Sequence, residues 1–113
     1  MLIKKSQAIK KQIAKEGFVY EYKDYNKSLG VAVSELNGRI PDNGLMKNNV
    51  CHEVYYVLSG SAKVYVDDKS CIINEGDVLH INIGQEYYIE ADNLKLVIST
   101  SPAFYPEQWE NII

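Results

Sequence analysis

Residues 51–60, CHEVYYVLSG, and residues 75–90, EGDVLHINIGQEYYIE, decide how this chain is read. In the first stretch Cys51, Glu53, Tyr55 and Val57 alternate with His52, Val54, Tyr56 and Leu58. Residues two apart share one face of a pleated strand, so this spacing reads as β-structure with one row inside and one outside. β-Branched and aromatic side chains favour the same state. Working outward, the period of two recurs in FVYEYKDY (18–25), LGVAVSEL (29–36), AKVYVD (62–67), SCIIN (70–74) and LKLVIST (94–100). Turn formers separate these runs: Asn37-Gly38, Pro41 to Gly44, Ser59-Gly60, Asp67-Asp68, Asn74 to Gly76, Gly84 and Asp92-Asn93. Roughly eight short strands with no long helix between them predict an antiparallel barrel or sandwich rather than a parallel βαβ sheet.

The ends read differently. In SQAIKKQIAK (6–15) Ile9 and Ile13 lie four apart behind Ser6, which predicts a short N-terminal amphipathic helix. The expected organisation is a basic N-terminal segment at 1–17 packing on the barrel, the barrel itself at 18–101, and a tail at 102–113 that packs Phe104, Tyr105 and Trp109 against its outside.

With 113 residues the chain has material for one core. Its 12 basic and 15 acidic residues are unevenly placed, because the first fifteen positions hold five lysines and no acid. The remaining acidic body carries a single arginine, Arg39, and is a poor surface for nucleic acid, since neutralising phosphates takes clustered Lys and Arg. No apolar run approaches a signal peptide or membrane span, so no membrane partner and a cytoplasmic location are expected. In that reducing compartment Cys51 and Cys71 stay thiols.

The glycine-ended segment Glu53 to Gly60 resembles the end of the first motif of the cupin family, and Glu75 to Tyr87 resembles the second, with fifteen residues between Gly60 and Gly76. This resemblance implies a double-stranded antiparallel β-helix, the jelly-roll barrel, and a homodimer. It also implies a metal held by three histidines and a glutamate, and here only Glu53 stands in place. The two first-motif histidine positions fall on Lys47 and Asn49 in one spacing and on Met46 and Asn48 in the other. In the second motif Gly76 and Gly84 match, but Asn82, Tyr87 and Ala91 replace the proline, the third histidine and the asparagine. Lysine, amide and phenol make a poor donor set for a first-row metal, so neither metal nor cofactor is expected.

If the strand is regular, the face that carries Glu53 also carries Lys47, Asn49, Cys51 and Tyr55, with Tyr87 reaching across from the second hairpin. These six residues form the predicted binding site for a small polar organic ligand such as a sugar or an organic acid. Glu53, Tyr87 and Lys47 are its candidate catalytic groups. Three roles remain open: a metal-independent binding module, a metal-independent isomerase or epimerase with Tyr87 as acid and Glu53 as base, or a buried Glu53–Lys47 or Glu53–Tyr87 pair that fills the old metal position. On the same parity His52 points outward, His80 is half-buried, and Cys51 is either a small core residue or, beside Lys47, a nucleophile.

Overall fold

A computed structural model describes residues 1–23 and 27–113, so the end of the FVYEYKDY run lies outside the described residues. Among the described residues nine strands run in chain order: β1 Ile9–Ala14, β2 Gly17–Tyr22, β3 Gly30–Ile40, β4 Leu45–Asn48, β5 His52–Val66, β6 Lys69–Asn74, β7 Val78–Ile81, β8 Glu86–Ser101 and β9 Trp109–Ile112. All their pairings are antiparallel. The sheet curls around the two longest strands: β8 binds β3, β4 and β5, while β5 also binds β6 and β7. The architecture is the expected all-β jelly-roll barrel.

Two runs that the turn formers divide in the sequence prove to be single bent strands. β5 continues through Ser59-Gly60 and β8 through Asp92-Asn93, and the β5–β8 register slips between Val57 and Ser61. Gly60 has φ +77, and a Cβ there would run into the Asn93 carbonyl. A bulge without a side chain lets both long strands bend at one place, which closes the barrel. Beneath the bend lies the apolar core, with Val57, Val64, Ile89, Leu94 and Leu96 all at most 1% exposed.

The expected N-terminal helix does not form. A 3-10 turn spans Lys5–Gln7, and β1 follows it, paired with β2. The tail likewise joins the sheet, because β9 pairs with β4 from Leu45–Ile112 to Asn48–Trp109. Phe104 and Trp109 therefore line the barrel interior instead of packing outside it.

The corner supplies a stability test. Gly60→Ala forces a left-handed φ and a backbone clash on an L side chain, and is expected to cost about 2 kcal/mol or more. For a domain of this size that lowers the melting temperature by roughly 8 °C or more, as read by thermal unfolding.

Candidate functional site

The carboxyl of Glu53 lies inside the barrel, 7% exposed, at the start of β5. Three side chains converge on one of its oxygens. The Tyr87 hydroxyl donates to Oε1 at 2.6 Å, Asn48 Nδ2 donates at 2.7 Å, and the Tyr55 hydroxyl stands 3.4 Å from the same atom. Tyr55 comes from the same face two residues along β5, and Tyr87 from the first turn of β8 opposite β4. Among the described residues no hydrogen bond reaches Oε2, and that oxygen is left to the cavity.

Asn48 is aimed by a residue distant in sequence. Gln108 Nε2 donates to Asn48 Oδ1 at 2.8 Å, while Gln108 Oε1 accepts the backbone N–H groups of Val50 and Cys51 at 3.1 and 3.0 Å. Each amide passes its polarity to the next, so the Asn48 NH2 is fixed toward the carboxylate. Capture of two successive N–H groups by one oxygen is incompatible with a regular strand, in which they point to opposite edges. The chain therefore breaks between β4 and β5, and its parity changes.

That break corrects the predicted inner row. Asn48 and Met46 face inward, whereas Asn49 is exposed and Lys47 extends toward Glu110, 3.9 Å from its Oε2. Neither Lys47 nor Asn49 meets Glu53. Cys51 is fully buried, but its thiol donates to the Pro102 carbonyl at 3.4 Å and does not line the cavity. Burial and the charge of Glu53 push that thiol up, which disfavours the thiolate that a nucleophile needs. The structure brings together Glu53, Tyr55 and Tyr87 of the six predicted residues, and adds Asn48, Met46 and Gln108. Of these, Met46 and Asn48 were visible as the alternative motif spacing. Gln108 gave no signal, being one of several polar residues in the tail, beside Glu107, Glu110 and Asn111.

His52 points outward as expected, and so does His80, which is exposed rather than half-buried; their Nδ1 and Nε2 atoms lie 3.2 Å apart on the outer surface. Among the described residues no three His, Cys, Asp or Glu side chains cluster in a way that could hold a metal ion. At the barrel mouth the donor set is thioether, amide, carboxylate and phenol, which does not fit the histidine-held metal that the resemblance implies.

The cavity in front of Glu53 has a volume of about 410 Å³. Its walls are mainly apolar, with Ile13, Val19, Ile89, Ile98, Phe104 and Trp109 among them. Removal from water raises the pKa of Glu53 above its ordinary value near 4.5, and the bonds from Tyr87, Asn48 and Tyr55 offset only part of that rise. The same burial, together with the negative charge of Glu53, raises Tyr55 and Tyr87 well above 10. Both phenols therefore stay protonated and act as donors.

A cupin domain model matches residues 44–98, the stretch that holds both motifs and this site. The fold is that of a cupin-type barrel. Among solved structures, Pac13 of Streptomyces, described as a nucleoside dehydratase, superposes with a TM-score of 0.88 at 13% identity over 99% of this chain and 90% of that one. Variants of Pac13 have been solved with uridine. Oxalate decarboxylase of Bacillus subtilis gives 0.78 at 20% identity, over 96% of this chain and 31% of that chain. KdgF of Halomonas sp. gives 0.72 at 10% identity, over 92% and 96%. At these identities the likeness is one of cupin fold. No curated protein matches the chain in sequence.

The raised carboxyl predicts a pH signature. A folded-state pKa above the unfolded one means that the folded barrel binds the proton more tightly, so this carboxyl lowers stability as pH rises through the window above about 4.5. Glu53→Gln keeps an acceptor for Tyr87 and removes the titration. Its melting temperature is expected to match or exceed that of the parent at pH 8, with the difference shrinking as the pH falls toward 4. A constant difference from pH 4 to 8 would show that Glu53 has an ordinary pKa.

Proposed function

We propose that this cupin barrel binds a small, hydroxyl-bearing organic molecule of sugar or nucleoside size, without a resident metal, and that Glu53 is its central recognition group. One observation carries the reading: three donors hold Oε1 and leave Oε2 free at the wall of a largely apolar cavity. Such a carboxyl accepts a hydrogen bond from a ligand hydroxyl, or donates one when protonated. The apolar walls supply the affinity that polar contacts in water do not. Cupin-fold neighbours that act on nucleosides or small acids support the size class.

The raised pKa of Glu53 favours a second reading, in which the bound molecule also loses a proton to Oε2. An epimerase with Glu53 and Tyr87 on opposite faces of the substrate fits less well, because the two groups bond directly at 2.6 Å and act as one unit. The geometry suits one-base chemistry, a proton exchange or an elimination, with Tyr87 holding the carboxylate in position.

Thermal shifts with a panel of aldoses, deoxysugars, nucleosides and hydroxy acids on metal-stripped protein test binding. A rise in melting temperature with at least one class is expected, and no shift with any of them overturns the binding reading. The positive ligand is then incubated with protein in D2O. Deuterium is expected at one carbon-bound position, slowed about a hundredfold or more by Glu53→Gln. Binding without exchange leaves a binding module and removes the enzyme.

The proposed protein partner is a second copy of the chain. On the outer face Val54, Tyr56 and Val78 are 36, 45 and 62% exposed, and Tyr56 lies between Val78 and Val97 in one row across three strands. A contiguous apolar row on a sheet face favours burial against a partner. Sedimentation should show a dimer that Tyr56→Lys converts to monomer; a parent monomer at about 100 μM rejects the dimer, since a stable interface dissociates well below that.

A further inference from the structure

The cavity has a second polar end that the Glu53 cluster does not use. Lys11 and Glu21 both line it, and Lys11 Nζ lies 2.8 Å from Glu21 Oε1. The Glu21 side chain is 13% exposed and that of Lys11 38%, so the carboxylate is turned inward while the ammonium keeps part of its surface in solvent. Two hydroxyls add to the polar lining: Ser34 and Thr100, 0 and 6% exposed, whose oxygens find no hydrogen-bond partner among the described residues. A buried hydroxyl without a partner is a defect in a closed core and an asset in a binding site, because a ligand can supply what the protein does not.

The register fixes how these groups are spaced. Thr100 stands opposite Glu53 across β8 and β5, and opposite Gly30 across β8 and β3. A Cβ on residue 30 would lie 2.5 Å from Thr100 Oγ1, so the glycine makes room for that hydroxyl. One row along, Tyr55, Ile98, Ala32 and Glu21 follow one another across β5, β8, β3 and β2. In the next row Ser34 pairs with Val19, and Val19 with Lys11. Three strand spacings, about 14 Å along the curved wall, thus separate the carboxyl–phenol end from the ion pair. Apolar Ile98 and Ala32 lie between them.

We infer that the ligand is elongated, with hydroxyls at the Glu53–Thr100 end and a planar group bearing a carbonyl acceptor beside an N–H donor at the Lys11–Glu21 end. An ammonium next to a carboxylate offers one donor and one acceptor side by side, the complement of an amide edge. The apolar middle accepts a flat ring. A pyrimidine nucleoside has this sequence of parts. A monosaccharide or a short organic acid fills one end only. The inference rests on the proposed binding at Glu53 and narrows its substrate class.

Calorimetric titration of the full chain with uridine, methyl β-D-riboside and uracil tests it. Uridine is expected to bind about tenfold or more tighter than either fragment. Lys11→Met and Glu21→Gln should each weaken uridine about fivefold or more while leaving the riboside unchanged, because only the base edge meets them. Ser34→Ala should weaken uridine yet leave the melting temperature of the free protein equal or higher, a pairing that a structural serine would not give. If Lys11→Met and Glu21→Gln leave uridine affinity unchanged, or uridine binds no tighter than the riboside, the second polar end is a rim ion pair and the inference falls. In that event riboside binding that Thr100→Val weakens keeps the reading at Glu53. If none of the three probes binds, the nucleoside assignment fails, and the wider panel decides whether Glu53 recognises another class.

Discussion

Burying one carboxyl sets the terms for the rest of this barrel. Glu53 loses most of its water, and an isolated carboxylate in that position would be neutralised or expelled. The chain meets the cost with donors from three separate elements, Asn48 on β4, Tyr55 on β5 and Tyr87 on β8, all directed at one oxygen. A fourth element holds the first donor in place. Gln108 precedes β9, so the pairing of β9 with β4 is part of the machinery that orients the Asn48 amide. The C-terminal tail thus belongs to the site as much as to the fold.

The resemblance to the cupin motifs implies that the metal-holding positions fall on Met46, Asn48, Glu53 and Tyr87 in the wider spacing, and the structure gathers all four at the cavity wall or directly behind it. Replacing imidazoles by an amide and a phenol changes what the centre can do. Imidazole nitrogens donate electron pairs to a cation, whereas Asn48 Nδ2 and the Tyr87 hydroxyl donate hydrogen bonds to an anion. As arranged here, these groups stabilise negative charge on the chain's own glutamate.

The alternation of CHEVYYVLS and the turn glycines at 76 and 84 were enough to read the barrel from the sequence, because a period of two and tight turns are local properties. Three features were not legible, each for its own reason. Ile9 and Ile13 are four apart, and that spacing puts two residues on one face of a helix and equally on one face of a strand, so the pattern could not decide between helix and β1. The parity of Lys47 and Asn49 depends on the break at Val50 and Cys51, which is imposed by Gln108 more than fifty positions away. Nothing local announces it. The strand breaks assigned at Ser59-Gly60 and Asp92-Asn93 are bends instead, because the two sites face each other and bulge together, a matter of pairing rather than composition. Glu53, Tyr55 and Tyr87 were recoverable because they lie on the regular side of these irregularities.

The apolar wall and the carboxyl are not independent designs. The side chains that would hold a ligand by excluding water are those that raise the pKa of Glu53, so affinity and basicity come from one arrangement. A ligand that enters and offers Oε2 no hydrogen bond removes the remaining water and pushes the carboxyl toward its neutral form. A ligand that places a hydroxyl there does the reverse and holds the carboxylate ionised, where it can act as a base. If a ligand binds as proposed, the cavity selects it twice, once by fit along the wall between Thr100 and Lys11, and once by whether its polar end keeps the charge on Glu53.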